Sequence, residues 1–512
     1  MSVVLSLALL AATAAPKVLV LPLEPVGDVG AAGWISEAFA DLLPRDLARL
    51  GVFAVTRADR LAAHDAMDIP VVTLSRATSI RMAEALGVSR IVSGTFERRG
   101  SDLTVSVRWL DVERGTLSPP FNSSASFDHA ATLIHGLAWD IALAGPWKPP
   151  GTRDAFLASM RALPFPAFEA HGMGLAAAKA GHRKDHLRRA IERHPAYDEA
   201  RLALAQEQID AREYAAAYDT LAAVGASSPL ARDALFFQGV ALLEMARYDE
   251  AGALYARLAE SEASAGVLSN HGLAALRARE KGRGSELLRQ AVDKAPGVTD
   301  VAFNLGWALL LDGDAEAAVF WLRGVTRQAP RDVLAHVVLS WALRQAGHTD
   351  EAAEEWRGVA MTGAPDRLTE TPDLSRRLGR VMRAERPMLI ERSDVELAVA
   401  HVGRADALLK ANDTDGALRE LTRAAYLDPY SARAHELLAR AHLQRGEKER
   451  ALGELQMSLW CRDDAAVRLQ LARLLADLGR SAEARAEAEK VLKGDPGNEA
   501  ARALLKSPGP GL

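Results

Sequence analysis

The first part of the chain alternates short apolar runs with amphipathic segments. Residues 17–24 are rich in valine and leucine, which predicts a buried strand. Residues 35–50 place apolar side chains on one helical stripe, with Pro44 expected to kink or interrupt the helix. Residues 91–98 and 103–112 alternate apolar and polar positions around a short turn, a pattern typical of an antiparallel hairpin with one solvated face. The other predicted elements are a strand at 52–56 and helices at 59–67, 74–86 and 128–144. This order of elements predicts a small α/β domain over residues 16–145.

After residue 165 the pattern becomes helical and repeats itself. Glycine, alanine and proline recur 34 positions apart, in the pairs Gly272 and Gly306, Gly313 and Gly347, Ala318 and Ala352, and Pro296 and Pro330. Each period fits a pair of helices that needs a small residue at the helix crossing and a proline that ends the second helix. The predicted units are 165–197, 198–231, 232–264, 265–298, 299–332, 333–365, 398–431, 432–464 and 465–498.

These units form two predicted blocks of unequal length. The first block covers residues 165–365 and follows a linker at 146–164, which Pro146, Pro149 and Pro150 make stiff. The second block covers 398–505 and ends in a cap helix, before a flexible tail at 506–512. An irregular helical insertion at 366–397 breaks the register between the blocks and suggests a change of superhelical angle there.

The 34-residue period resembles the tetratricopeptide repeat, in which helix pairs stack into a right-handed superhelix. The resemblance covers most of residues 165–505. It implies an all-α solenoid that binds protein partners in a concave groove lined by the first helix of each pair.

The segment 82–115, MAEALGVSRIVSGTFERRGSDLTVSVRWLDVERG, resembles the helix, strand and hairpin of the TolB N-terminal-like domain. The resemblance covers about residues 16–145 and implies an α/β module that serves assembly and interaction in bacterial proteins. No cysteine stands near residue 15, so the lipid attachment of some related envelope proteins is not expected.

The groove of the implied solenoid has five candidate partner-binding residues. Phe303 and Trp307 of one unit, and Val337, Trp341 and Arg344 of the next, occupy positions that usually face the groove in this family. Tryptophan and arginine are enriched among residues that dominate binding energies. The alternative is that either tryptophan packs between helices as core. The clamp by which some members hold a C-terminal carboxylate is not expected, since Asn304 has no basic partners in phase.

The insertion carries a second candidate surface on a predicted helix over 375–385. Four arginines there could dock an acidic partner or lipid head groups, namely Arg376, Arg377, Arg380 and Arg383. The preferred interpretation is a solvated helix whose arginines pair with neighbouring carboxylates. Those carboxylates are Asp366, Glu370, Asp373, Glu385 and Glu391.

Residues 3–15 form an apolar run that ends in small residues before Pro16, which indicates a signal peptide at 1–15 and export to the periplasm. No lysine or arginine precedes the run, and the alternative is an apolar first strand of a cytoplasmic protein. The run is too short to span a bilayer, so no integral membrane span is expected.

The composition of the chain limits which partners and which disulfide or metal sites are expected. Among 512 residues, 62 basic side chains against 67 acidic ones give a net charge of -5, which does not favour a nucleic-acid partner. The lone Cys461 excludes an intramolecular disulfide, a cysteine zinc cage and an iron–sulfur centre.

The sequence contains loose matches to catalytic motifs, and each match has a simpler structural explanation. Gly172 and Gly174 match a loose dinucleotide fingerprint, but no strand precedes them, and a close helix crossing explains both better. The loop with Gly27, Gly30 and Gly33 lacks the lysine of a phosphate-binding loop. His182 and His186 lack the glutamate of an HExxH motif, and Arg183, Lys184 and Arg188 would repel a cation there, so a metal site is not favoured. We therefore predict no catalytic residue, no cofactor and no metal.

The sequence thus predicts a non-catalytic interaction scaffold of the bacterial envelope that binds peptides or helices of partner proteins in the groove. The alternative is a cytoplasmic signalling or regulatory accessory built from the same two modules. A nucleotide-binding enzyme, with its site at the glycine loop, is the third hypothesis.

Overall fold

The computed structural model describes residues 17–67, 69–160, 162–280, 282–361, 378–387 and 393–506. The chain divides into two compact units, one with residues 1–250 and 387–391 and the other with 251–386 and 392–512. The predicted signal peptide, Arg376, Arg377 and most of the tail lie outside the described residues. The fold is a small N-terminal sheet domain followed by a solenoid of helix pairs.

The sheet domain contains five described strands. They are β1 (Val18–Val20), β2 (Glu24–Pro25), β3 (Arg90–Arg99), β4 (Asp102–Asp111) and β5 (Phe121–Ser126). The sheet order is β1-β3-β4-β5, with β1 and β2 parallel to β3, and β4 antiparallel to both β3 and β5. The predicted hairpin is confirmed, and Gly100 takes the positive φ that its two-residue turn requires.

Strand β5 was not predicted, because its sequence FNSSAS is polar and carries one large apolar residue. The strand predicted at 52–56 is reduced to a single parallel bridge between Val18 and Ala54. The helices of this domain are α1 (Ile35–Arg49), α2 (Arg57–Ala66), α3 (Arg76–Ala85), α4 (Ala130–Ala144) and α5 (Arg153–Ser159). Helix α1 continues through Pro44, and its buried Phe39, Leu43 and Leu47 contribute to the core.

Eighteen further helices follow among the described residues, and we number them two at a time, in chain order, as repeats 1 to 9. They are Phe165–Ala176 with Ala180–Arg193, Asp198–Asp210 with Tyr214–Ala222, Ala231–Glu244 with Tyr248–Ser261, Ala265–Arg277 with Arg283–Lys294, Thr299–Asp312 with Ala315–Gln328, Val333–Gln345 with Thr349–Met361, Ser393–Lys410 with Thr414–Leu427, Ala432–Gln444 with Lys448–Cys461, and Ala465–Asp477 with Ser481–Gly494. A last helix, Glu499–Lys506, packs on repeat 9 and matches the predicted cap.

The small residues of the repeat lie where the two helices of a pair cross. A Cβ on Gly272 would lie 2.8 Å from Leu288 Cγ, and a Cβ on Gly306 would lie 2.8 Å from Leu322 Cγ. Both glycine–leucine pairs are therefore the same contact in repeats 4 and 5. This is the physical origin of the 34-residue period.

The first repeat and the sheet domain share one hydrophobic core. Trp34 of the sheet domain makes edge contacts with Phe127 and with Phe168 of repeat 1, and a Cβ on Gly172 would lie 2.2 Å from its ring. The close-crossing interpretation of Gly172 is thus confirmed. The stretch predicted as a linker contains α5 and buries Trp147 and Phe156 in the same core, so it is a packed part of this unit.

An aromatic cluster of the second unit joins the predicted blocks. The Tyr430 ring stacks on Trp321 with centroids 4.5 Å apart, and its hydroxyl donates to the Trp321 carbonyl at 2.7 Å. The Phe320 ring contacts the rings of Tyr430, His435 and Trp460. The second block therefore packs directly on the second helix of repeat 5.

Candidate functional site

The first helices of repeats 4 and 5 form a polar and aromatic surface, which we call the groove and define by Asn270, Arg277, Phe303, Asn304 and Trp307. Asn270 and Asn304 stand one repeat apart and are both buried. Helix packing positions them, since each lies two residues before the crossing glycine of its helix. Repetition of the unit thus places two identical amide groups side by side on one surface.

Each asparagine holds the backbone of one residue in the insertion. Asn304 accepts from the Arg380 amide at 2.7 Å and donates to the Arg380 carbonyl at 2.8 Å. Asn270 does the same for Met382, at 2.7 Å and 3.0 Å. A carboxamide that pairs with both main-chain groups of one residue satisfies its donor and its acceptor at once. The two amides therefore bind an extended backbone.

The segment Leu378–Arg386 occupies the groove through further contacts of the same kind. Arg277 donates to the Gly379 carbonyl at 3.1 Å, and the Gly266 amide donates to the Glu385 carbonyl at 2.8 Å. The segment runs from repeat 5 toward repeat 4, opposite to the order of the repeats. The groove therefore holds it as it would hold an extended peptide.

Arg380 is the anchor of this segment. Its guanidinium lies 3.9 Å from the centroid of the Phe303 ring, donates to Asp300 at 2.8 Å and pairs with Asp332. The two carboxylates and the aromatic face both attract the cation, so both stabilise Arg380 in this position. Arg386 at the other end pairs with Glu262.

The predicted groove residues divide into two sets. Phe303 and Trp307 contact the segment, because a Cβ on Gly379 would lie 3.1 Å from the Trp307 ring. Phe303, Trp307 and Val337 are all buried. Trp341 is half-buried and Arg344 is exposed, and the structure does not bring either one to the segment.

The predicted basic helix is wrong where the structure describes it, since 378–385 is not helical. Hydrogen bonds from the groove take up the main-chain groups that a helix would satisfy internally. Arg380 and Arg386 do pair with carboxylates, as the preferred interpretation expected. Three of their partners are Asp300, Asp332 and Glu262 of the repeats, whereas Asp366, Glu370, Asp373 and Glu391 lie outside the described residues.

The first unit contains a separate cavity of about 580 Å³. Its lining includes Asp41, Arg45, His135 and Tyr197. His135 forms a buried 2.6 Å pair with Asp46, and Arg45 binds Asp41 at 3.0 Å. A cavity of this size can hold a small molecule, and the buried Nε2 atom of His171 on its wall has no hydrogen-bond partner among the described residues.

His171 on the wall of this cavity titrates abnormally. Its Nδ1 shares a 2.7 Å hydrogen bond with the Tyr197 hydroxyl. Burial lowers the pKa of His171 to about 4, with Asp41 and Glu199 opposing the shift and Arg45 and Arg57 adding to it. The folded protein therefore keeps this imidazole neutral at pH values where an unfolded chain would protonate it.

We expect this histidine to make the first unit acid-sensitive. Its contribution to stability is complete above pH 6.5 and is lost as the pH falls toward 4, because only the unfolded state then takes up the proton. The loss should reach about 3 kcal/mol. Urea unfolding at pH 7.5 and pH 4.5 measures most of it, and the His171→Gln variant should lose about 2.5 kcal/mol less than the wild type over this interval. An equal loss in both proteins would contradict this assignment.

Other sequence candidates lie apart from the groove. In the glycine loop, the Gly30 amide donates a hydrogen bond to the Asp28 carboxylate at 2.9 Å. This amide is therefore already bonded to an anionic side chain of the same loop. Burial raises the pKa of the half-buried Cys461 thiol, which disfavours a reactive thiolate. Among the described residues, no group of three or more histidine, cysteine, aspartate or glutamate side chains could hold a metal ion, and no helix has the length and hydropathy needed to span a membrane.

The asparagine pair escaped the sequence analysis, although a signal for it was present. Asn270 and Asn304 repeat in phase, two positions before glycines that were used to define the period. Asn304 was considered only as part of a carboxylate clamp. A polar residue that recurs on a helix face otherwise made of apolar residues would have marked both positions.

A scan against family models matches residues 269–332 and 402–466 to the tetratricopeptide repeat. The comparison with curated proteins gave no match. Among solved structures, YrrB, described as a TPR protein with an unusual peptide-binding site, is 17% identical, covers 37% of this chain and 95% of its own, and has a TM-score of 0.29.

Two further solved structures are comparably distant. A tetratricopeptide repeat protein from Parabacteroides merdae is 14% identical over 55% of this chain and 98% of its own, with a TM-score of 0.30. The C-terminal part of a TPR repeat-containing protein from Cytophaga hutchinsonii is 13% identical over 60% of this chain and all of its own, with a TM-score of 0.25.

Proposed function

We propose that this chain, which carries tetratricopeptide repeats at 269–332 and 402–466, is a non-catalytic scaffold of the bacterial envelope that binds an extended segment of a partner protein in its groove. Tetratricopeptide repeat folds generally serve protein–protein interaction. The observation that carries the proposal is the pair of buried amides, Asn270 and Asn304, each bonded to both main-chain groups of one residue in an extended segment.

The chemistry of the groove suits recognition rather than catalysis. Its polar groups are amides, a guanidinium and carboxylates that are engaged with a peptide backbone or with Arg380. The N-terminal sheet domain, whose sequence resembles the TolB N-terminal-like domain, is proposed to dock a second component. The apolar run at residues 3–15 supports the envelope location.

Loss of the two groove amides should remove the partner. We expect Asn270→Ala with Asn304→Ala to reduce co-purification of native-host proteins with the full chain by about tenfold or more, because four hydrogen bonds to a bound backbone are lost. Quantitative mass spectrometry of the bound proteins measures this. Asn122→Ala, on the exposed face of β5, is the matched control and should behave as the wild type.

The location is tested separately. Fractionation of the native host, followed by intact-mass measurement, should find a mature chain in the periplasmic fraction. An unprocessed chain in the cytoplasm would contradict the envelope location and favour the signalling accessory, while leaving the groove proposal open to the co-purification test.

A further inference from the structure

The groove is occupied by the protein itself. We propose that the segment Leu378–Arg386 is an internal ligand, which a partner protein displaces with an extended basic segment of its own that contains a glycine–arginine pair followed two residues later by an apolar side chain. This inference rests on the proposed function of the groove and names the chemistry of its partner.

The contacts recognise a backbone more than a particular sequence. Six main-chain groups of the segment are bonded to repeats 4 and 5, namely the Gly379 carbonyl, both groups of Arg380, both groups of Met382 and the Glu385 carbonyl. In an extended chain, both main-chain groups of residues i and i+2 face the same side, as those of Arg380 and Met382 do here. A segment of another protein can therefore make these four bonds in place of the internal one.

Three side-chain positions restrict which sequences fit. A Cβ at position 379 would lie 2.4 Å from Leu273 Cδ2, so only glycine passes without a shift. Arginine at position 380 stacks on Phe303 between Asp300 and Asp332. The Met382 side chain is buried, so an apolar residue is favoured there.

Charge favours a basic partner. Carboxylates contact the internal segment at both of its ends, Asp300 and Asp332 at Arg380 and Glu262 at Arg386. A partner segment with arginines at the same positions would form the same ion pairs and hydrogen bonds. It would therefore compete with the internal segment for the groove. It competes against an occupant on the same chain, whose effective concentration is high. The free groove should therefore bind such a segment far better than the occupied one.

The test uses a fluorescein-labelled peptide with the sequence LGRVMRAER, residues 378–386, and the full chain, with binding followed by fluorescence anisotropy. Arg380→Glu in the chain replaces attraction to Asp300 and Asp332 by repulsion and should weaken only the internal segment. We expect the peptide to bind this variant at least about tenfold more tightly than the wild type. Arg380→Ala should change affinity in the same direction and serves if the first variant is unstable.

Three controls define the outcome. Arg357→Glu makes the same charge change at an exposed position of repeat 6 and should bind the peptide as weakly as the wild type. A peptide with glutamate in place of its first arginine should bind Arg380→Glu at least about tenfold more weakly. Adding Asn270→Ala and Asn304→Ala to that variant should abolish binding, with circular dichroism confirming that the helices remain.

Equal binding of the peptide to the wild type and to both Arg380 variants, or binding that survives loss of both asparagines, would overturn the inference. So would self-association of the Arg380 variants without peptide binding, because the occupant would then be a second copy of the chain. If co-purification of host proteins still depends on Asn270 and Asn304 after such a result, the proposed function stands and the segment is a fixed structural element. If that dependence is also absent, both proposals fail.

Discussion

Replacing Tyr430 by alanine is expected to lower the free energy of unfolding of the second unit by about 3 to 5 kcal/mol. The ring is buried, stacks on Trp321 and contacts Phe320, and its hydroxyl donates to a backbone carbonyl. Its removal leaves a cavity between the second helix of repeat 5 and the start of repeat 8, and it leaves that carbonyl without this donor. Chemical denaturation followed by circular dichroism measures the loss.

Two variants separate the causes. Tyr430→Phe keeps the stacked ring and should lose only about 1 kcal/mol, the usual contribution of one hydrogen bond. Tyr426→Ala removes a tyrosine that is 72% exposed and should change stability little. If the alanine variants at 426 and 430 were equally stable, the aromatic cluster would not join the two blocks.

Gly306→Leu is expected to destabilise the second unit by about 3 kcal/mol. The first added carbon would lie 2.8 Å from Leu322 Cγ and 3.3 Å from Trp321 Cβ, and the rest of the side chain has to displace the second helix of repeat 5. Because that helix also carries the contact with Tyr430, the disturbance should extend to the second block. Thermal unfolding of the full chain provides the measurement.

Gly403→Leu is the matched control. Gly403 lies in the first helix of repeat 7, is exposed, and has no heavy atom within 4 Å of an added Cβ. Leucine has the higher helix propensity, so this variant should be at least as stable as the wild type. Unchanged melting of Gly306→Leu would mean that the repeat register is wrong.

The repeat boundaries could be predicted because the information is local and recurs. The predicted unit 299–332 begins at the first residue of the helix Thr299–Asp312 and ends just after Ala315–Gln328. A small residue at a crossing and a proline after the second helix act within one unit, and each copy repeats the same constraint. The hairpin could be predicted equally well, because its turn and its alternating residues are contiguous in the sequence.

The groove could be predicted only in part from the sequence. Phe303 and Trp307 could be placed on the correct helix face from the period alone, but the sequence cannot show that Arg380 and Gly379 cover them. The contacts between the segment and the repeats join residues 48 to 124 positions apart, and the insertion has no periodicity that would reveal its partners. Its high content of arginine favoured a solvated helix, while the groove offered the backbone other hydrogen-bond partners.

The sequence by itself therefore determined the order of the two modules, the number and phase of the helix pairs, and the small residues at their crossings, since each depends on neighbours within one turn or one repeat. Only the tertiary structure decided that the sheet domain shares a core with repeat 1, that Tyr430 joins the blocks, and that Leu378–Arg386 lies in the groove. The physical reason is that each of these outcomes depends on whether two distant surfaces have complementary shape and hydrogen-bonding groups, which no local pattern encodes.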